Sequence, residues 1–209
     1  MIDLLKTVKK KLASKYLEVD NLKKKKFKPR IKARIRKNKQ ILNKNLENFF
    51  GWIKGAELVE LKKCNTEEDP VRPELDNVFR RSYGRKIYGV KYGGEIHAVM
   101  CFAYTNQIPK SVNELDKFSH DAFLQSAQRD QKIGQIAIAY TVWSKKKGGG
   151  KLIVKEVFKK IKKSNHLNRL ITLSPLTDMA FKFHSKNGAK LLQVNETTQN
   201  FEYKVIKNR

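Results

Sequence analysis

The run YTVWSKKKGGGKLIVKEVF, residues 140–158, constrains the fold more than any other stretch of the chain. Three consecutive glycines are costly inside a helix or strand, so Gly148, Gly149 and Gly150 mark a turn. Before them, GQIAIAYTVW (134–143) reads as a strand. After them, Leu152, Ile153, Val157, Phe158 and Ile161 fall at helical spacing with lysines opposite. A strand passing through a glycine turn into an amphipathic helix places orphan backbone N–H groups and the positive end of a helix dipole at one point. That is a seat for phosphate, reinforced by Lys145, Lys146, Lys147 and Lys151. Two phosphate motifs are excluded. A P-loop needs Ser or Thr after its lysine, where this chain has Leu152, and a glycine where it has Lys145. The dinucleotide fingerprint needs a third glycine at Ile153.

The remaining pattern surrounds that junction with alternating elements. ELVELKK (57–63) alternates like a strand, and Leu75, Val78 and Phe79 suggest a short helix ending at Gly84. KIYGVKYGGEIHAVMCFAYT (86–105) reads as a hairpin about Gly93 and Gly94. Residues 106–133 form a polar excursion with an inner helical patch from Phe118 to Gln128. Beyond the glycine junction come a strand in LNRLITLS, a helix in PLTDMAFKFHSKNG ended by Gly188, and two closing strands in AKLLQVN and NFEYKVI. The expectation is a mixed α/β domain around one central sheet, over residues 51–209.

Charge sets residues 1–50 apart. The chain carries a net charge of +26, and residues 1–40 hold 16 Lys/Arg against three acids, half of the excess in a fifth of the length. Apolar residues at 1, 2, 4, 5, 8, 12, 16 and 17 follow helical spacing, and IKARIRKNKQILNKNLENFF resumes it after Pro29. Residues 1–50 therefore read as a basic helical extension open to nucleic acid, another polyanion or a membrane surface. Cys64 and Cys101 form neither a disulfide framework nor a zinc site. His97, His120, His166 and His184 lack metal-ligand spacing, so no metal is expected. No apolar run spans a bilayer and the N-terminus lacks a signal-peptide core, which suggests a cytoplasmic protein, or one packaged into a virion from the cytosol.

With its strand and helix in place, KKKGGG resembles the Arg/Gln-x-x-Gly-x-Gly/Ala loop of the GNAT acetyltransferase superfamily. A second motif follows about thirty residues on. MAFKFHSKNGA is similar to that family's Ala-x-x-Phe/Leu-Tyr-x-x-x-Gly-Phe, with Ala180, Phe183, Gly188 and Ala189 at its positions. The surrounding LSPLTDMAFKFHSKNGA also looks like acyltransferase-like proteins of tailed phages. The GNAT resemblance covers residues 56–209 and implies an acyl-CoA N-acyltransferase fold and transfer from acetyl-CoA, or another acyl-CoA, to an amine. It implies that acyl-CoA lies between strands 134–143 and 168–174. The pyrophosphate would take amides of residues 146–151, and pantetheine would run along Tyr140, Val142 and Trp143. The acceptor would sit near the excursion 106–133.

The chain departs from the family pattern at four places. Lys145 replaces the loop's Arg or Gln. His184 stands where a tyrosine would protonate the departing thiolate, and Ala189 replaces a final aromatic. GQIAIAYTVW also lacks the family's strand glutamate, leaving Glu95, His97, His120 and Asp121 as bases from elsewhere. Ser174 could hydrogen-bond a pantetheine amide, or cap the helix that follows. Three readings stay open: an N-acyltransferase, an inactive structural or nucleic-acid-associated protein on the same fold, and other acyl-CoA chemistry, such as decarboxylation, using His184 and Ser174.

Overall fold

The computed structural model describes residues 29–129 and 132–205, so the expected helix over residues 1–17 lies outside the described residues. The chain divides into two compact units, Met1–Trp52 and Ile53–Arg209. Helix α1 (Pro29–Gly55) continues straight through the 31–50 stretch read from sequence, and Arg34, Arg36, Lys37, Lys39 and Lys44 are exposed along it. Pro29 opens this helix, as its fixed φ and missing N–H favour at a first turn. No helix among the described residues is long and apolar enough to cross a membrane.

The second unit is built on one eight-stranded sheet. Its strands are β1 (Glu57–Leu61), β2 (Lys86–Tyr92), β3 (Glu95–Thr105), β4 (Ile136–Ser144), β5 (Arg169–Thr172), β6 (Ser174–Pro175), β7 (Lys190–Val194) and β8 (Thr198–Tyr203). The order is β1-β2-β3-β4-β5-β8-β6, with β7 on β8. Every pairing is antiparallel except β4 with β5. That parallel pair needs a crossover, supplied by α3 (Gly149–Lys162), whose Leu152, Ile153, Val154, Val157 and Ile161 are buried. Helix α4 (Asp178–Lys186) starts at Thr177, whose hydroxyl accepts from the Ala180 amide, and stops before Gly188 at φ 88°.

Two expectations from sequence change in extent. The excursion is chiefly helix: α2 (Val112–Arg129) starts six residues before the predicted patch and buries Leu115, Ser119, Ala122 and Ser126. Its small polar residues Ser119 and Ser126 satisfy their hydroxyls on carbonyls three residues back, at Asp116 and Phe123, which lets polar positions face the sheet. The stretch LNRLITLS breaks into β5 and β6, because the ladder with β8 gives way at Thr172 to side-chain bonds: the Phe201 amide donates to Thr172 Oγ1 at 3.1 Å and Asn200 Nδ2 to the Thr172 carbonyl at 2.8 Å.

The core between α2 and the sheet holds Leu75, Ile87, Val99, Cys101, Leu115, Ile138, Tyr140, Trp143 and Ile171. One irregularity in it governs the site. Ala139 faces Phe102 and Thr141 faces Cys101, which leaves Tyr140 without a partner on β3. This bulge reverses side-chain parity along β4 and bends the strand. Ile138 and Tyr140 point into the α2-side core before it, and Trp143 still does so after it.

Candidate functional site

Strands β4 and β5 are registered only from Ile136–Arg169 to Ala139–Thr172, and one more bond joins the Leu173 amide to the Ala139 carbonyl at 2.9 Å. Past the Tyr140 bulge the two strands diverge, so the β5-facing edge of β4 from residue 140 to 144 lacks a strand partner. A groove of about 240 Å³ opens there. Its wall includes Tyr140, Thr141, Val142, Trp143 and Ser144 from β4, Gly150 and Val154 from α3, and Met179, Ala180, Phe183 and His184 from α4. Pro70 and Val71 close it from the opposite face of the sheet, so the groove passes through the splay. The lining contains no Asp, Glu, Lys or Arg.

The glycine junction forms the mouth. Gly148 caps α3 at φ 88°, a conformation other residues adopt only under strain. Gly149 sits where a Cβ would come within 3.0 Å of the Ser144 Cβ, so helix and strand approach each other only because it has none. Gly150 faces Phe183, whose ring would lie 3.2 Å from an added Cβ. These contacts separate three glycines that look equivalent in sequence. The expected amide cradle over 146–151 is narrower than read: the Gly149 N–H is spent on the Lys146 carbonyl at 2.9 Å. Gly150 and Lys151 keep the orphan N–H groups of a first helical turn. The lysines diverge. Lys145 pairs with Glu68 at 2.7 Å, a hydrogen bond that lowers the Glu68 pKa, and the Lys146 ammonium lies 4.9 Å from the Tyr92 ring centre. Lys147 and Lys151 are exposed.

Opposite the mouth lies a row of polar groups in an otherwise apolar wall. Ser174 Oγ is 3.0 Å from Thr172 Oγ1 and 2.9 Å from His184 Nε2, and His184 Nδ1 is 3.0 Å from the Tyr203 hydroxyl. Ser174 and His184 were visible in sequence as single residues, whereas Thr172 and Tyr203 were not; their union was not either, because β5, β6, β8 and α4 meet only in the folded chain. The imidazole stacks on Phe201 at 4.9 Å between ring centres. Burial pushes its pKa down to about 4, so the ring is neutral at neutral pH. Burial likewise raises the pKa of the Tyr203 phenol.

That depressed pKa has a consequence for stability. In the unfolded chain the imidazole returns to its ordinary value of 6.5, above the folded value of about 4. The unfolded state therefore binds more protons in that window. The stabilisation is complete above pH 6.5 and is lost as the pH falls toward 4, amounting to roughly 3 kcal/mol. Denaturant midpoints measured across this range are expected to fall with pH in the wild type and to fall less in His184→Gln.

The other bases read from sequence do not reach the groove. His97 Nε2 lies 3.1 Å from the Tyr92 carbonyl, and the ring borders a separate hollow with Cys64, Glu68 and Lys145. His120 packs on Tyr83 at 4.6 Å, and Glu95 lies exposed at the hairpin turn. Asp121 sits on α2, outside the groove lining. No residue of the excursion 106–133 lines the groove either. On the face of the sheet opposite α3, the groove is lined instead by Pro70 and Val71, from a segment the sequence presented only as a proline-bounded loop.

That segment is held by a buried ion pair. Asp69 accepts from Arg80 Nη2 at 2.9 Å, from Thr141 Oγ1 at 2.8 Å, and from the amides of Val71 and Arg72 at 2.9 and 3.2 Å. Arg80 in turn donates to the carbonyls of Leu75 and Arg72, both at 2.7 Å, and to Cys101 Sγ at 3.3 Å. Arg72 lies across the splay: its Nε donates to the Tyr140 carbonyl at 3.1 Å and its Nη2 to the Leu173 carbonyl at 3.4 Å. None of this was legible, since Asp69, Arg72 and Arg80 look like ordinary surface charges in a chain so rich in them.

No protein-family profile matches the sequence, and no curated protein matches it. Solved structures do. The GphF GNAT-like decarboxylase in complex with isobutyryl-CoA superposes with a TM-score of 0.55 at 9% identity, over 72% of this chain and 100% of that one. The loading GNATL domain of CurA from Lyngbya majuscula gives 0.53 at 10% identity, over 72% and 98%. A Bacillus subtilis acetyltransferase in complex with CoA gives 0.50 at 13%, over 72% and 99%. At such identities the likeness is one of fold: this chain has the GNAT acyl-CoA N-acyltransferase fold. The similarity to tailed-phage proteins finds no support in these comparisons.

Proposed function

We propose that the β4–β5 groove binds an acyl-CoA and that the protein transfers its acyl group to an amine. The observation that carries this reading is the alignment, along one groove, of the Gly148-capped helix start, the strand-free edge of β4 and the Ser174–His184–Tyr203 row. Pyrophosphate would meet the amides of Gly150 and Lys151, with Lys147 and Lys151 supplying charge. Pantetheine would pair with the β4 edge over Tyr140, Val142 and Trp143. The acyl group would reach the splay near Ser174. Solved structures of this fold in complex with CoA and isobutyryl-CoA support the assignment of ligand class.

Transfer forms a C–N bond to the acceptor, breaks the thioester C–S bond and moves one proton from the amine to the departing sulfur. His184 is neutral, so it does not arrive as a charged acid. It acts by holding Ser174: Tyr203 donates to Nδ1, Nε2–H donates to Ser174 Oγ, and the serine hydroxyl, which donates to Thr172 Oγ1 at 3.0 Å without ligand, would turn to donate to the sulfur. An amine entering already neutral needs no strong base, which suits a groove without carboxylates.

A second reading is favoured by the same absence of acids and amines from the lining. Loss of CO2 from a β-carboxyacyl-CoA breaks a C–C bond and leaves a thioester enolate. Hydroxyls of Thr172, Ser174 and Tyr203 around a neutral imidazole suit an enolate oxygen, and protonation at the α-carbon completes the reaction. GphF, of the same fold, is a decarboxylase.

One assay separates the two. Purified protein with acetyl-CoA and a panel of amines should release CoA only when an amine is present. Malonyl-CoA converted to acetyl-CoA and CO2 without any amine would instead establish decarboxylation. Absence of both activities, with no CoA retained in native mass spectrometry, would refute the acyl-CoA reading.

A further inference from the structure

The acyl-CoA reading uses nothing of the basic helix α1, whose charge follows a pattern of its own. Between Asp20 and Glu47 the chain has 12 Lys/Arg and no acid. On α1, Arg34, Arg36, Lys37, Lys39 and Lys44 are exposed. Arg34, Arg36, Lys37 and Lys44 join no ion pair among the described residues. Like charges three or four residues apart destabilise a helix, and Arg34 with Lys37 and Arg36 with Lys39 are such pairs. A polyanion laid along the helix would remove that repulsion.

The arrangement of the cations selects among polyanions. At the helical period, Arg34, Lys37 and Lys44 run along one flank of α1, and Arg36 and Lys39 along another. Gln40 lies between the flanks, three residues from Lys37 and four from both Arg36 and Lys44. Single strands are held by stacking on aromatic side chains, and residues 34–47 contain none. A helix resting in a membrane interface needs a broad apolar face. Here the exposed apolar side chains are Ile41 and Leu42, and Ile41 stands in the row of Arg34, Lys37 and Lys44. The major groove of an RNA duplex is too deep and narrow to be entered. That of B-form DNA admits an α-helix between two phosphate walls, which two cationic flanks match.

We propose that α1 binds duplex DNA by lying in its major groove, with Arg34, Lys37 and Lys44 against the phosphates of one strand and Arg36 and Lys39 against those of the other. Contacts to phosphate carry no base information, so binding is largely independent of sequence and steeply dependent on salt. The inference stands on α1 alone and does not require that the β4–β5 groove bind acyl-CoA.

Fluorescence anisotropy of the full chain with labelled oligonucleotides tests this, using duplex DNA, single-stranded DNA and duplex RNA of equal length across a salt series. Duplex DNA is expected to bind tightest, at least about tenfold above the other two at low salt. Changing Arg34, Arg36, Lys37 and Lys44 together to Gln, which suits a helix nearly as well, should weaken duplex binding at least about tenfold and flatten the salt slope by about 3–4. A control variant with Lys62, Lys63, Lys186 and Lys190 changed to Gln removes the same charge from exposed positions of the other unit. It should keep duplex affinity within about threefold. Equal losses in the two variants would overturn the proposal, since net charge alone would then explain binding. Equal wild-type affinity for all three nucleic acids would overturn it as well, and this comparison decides even if a variant folds poorly. Absence of duplex binding would also sink it, and vesicles containing phosphatidylserine that bound instead would assign α1 to a membrane surface.

Discussion

Asp69→Ala is expected to cost about 3–5 kcal/mol of folding stability, enough to leave the domain marginal. The side chains of Asp69 and Arg80 are both fully buried and 2.9 Å apart. Removing the carboxylate strands a guanidinium that has no route to water, and also orphans the Thr141 hydroxyl and the amides of Val71 and Arg72. Leaving charge and donors unpaired is far worse than never having placed them there. Asp69→Asn keeps an acceptor oxygen and is expected to cost clearly less. Urea denaturation of the three proteins measures the ranking. Equal stability of Asp69→Ala and wild type would mean that the pair does not anchor this loop. Pro70 and Val71 line the groove, so Asp69→Asn should also weaken CoA binding if the loop shifts.

Gly150→Trp is expected to lower CoA affinity more than about a hundredfold, or about 2.7 kcal/mol, with the fold retained. Gly150 does not have a positive φ, so a side chain is sterically possible for its backbone. An added Cβ would already stand 3.2 Å from the Phe183 ring, and an indole beyond it has only the groove to occupy. Gly148→Val tests a different cause: at φ 88° it should strain the turn and misplace the first amides of α3 without filling the groove. Calorimetry with CoA, beside thermal melts, separates the two. Undiminished affinity in Gly150→Trp would show that CoA does not pass between α3 and α4.

Much of the architecture was legible because it rests on local rules. Gly93 and Gly94 both adopt positive φ in the β2–β3 turn, Gly188 ends α4, and the amphipathic period of 149–162 is the buried face of α3. The glycine turn at the start of α3 was likewise readable, since it is a local arrangement. The groove's chemistry was less so. His184 and Ser174 could be singled out from motif positions, but Tyr203 offered no signal: it is one aromatic in a closing strand until β8 places it 3.0 Å from His184 Nδ1. Bases proposed from the hairpin and from α2 failed for the same reason, because their distance from the groove is a property of the sheet's order.

What the sequence alone determined is which segments become strands and helices, where the chain turns, and that a glycine turn opens α3. Those outcomes depend on neighbours within a few residues, through hydrogen bonding, φ preference and apolar period. The tertiary structure alone decided where charge could be buried. Asp69 meets Thr141 across 72 residues, and Arg72 reaches Leu173 across 101. The strength of an electrostatic contact depends on how much water is excluded around it, and that exclusion exists only once β4, β5 and the 69–72 loop have come together.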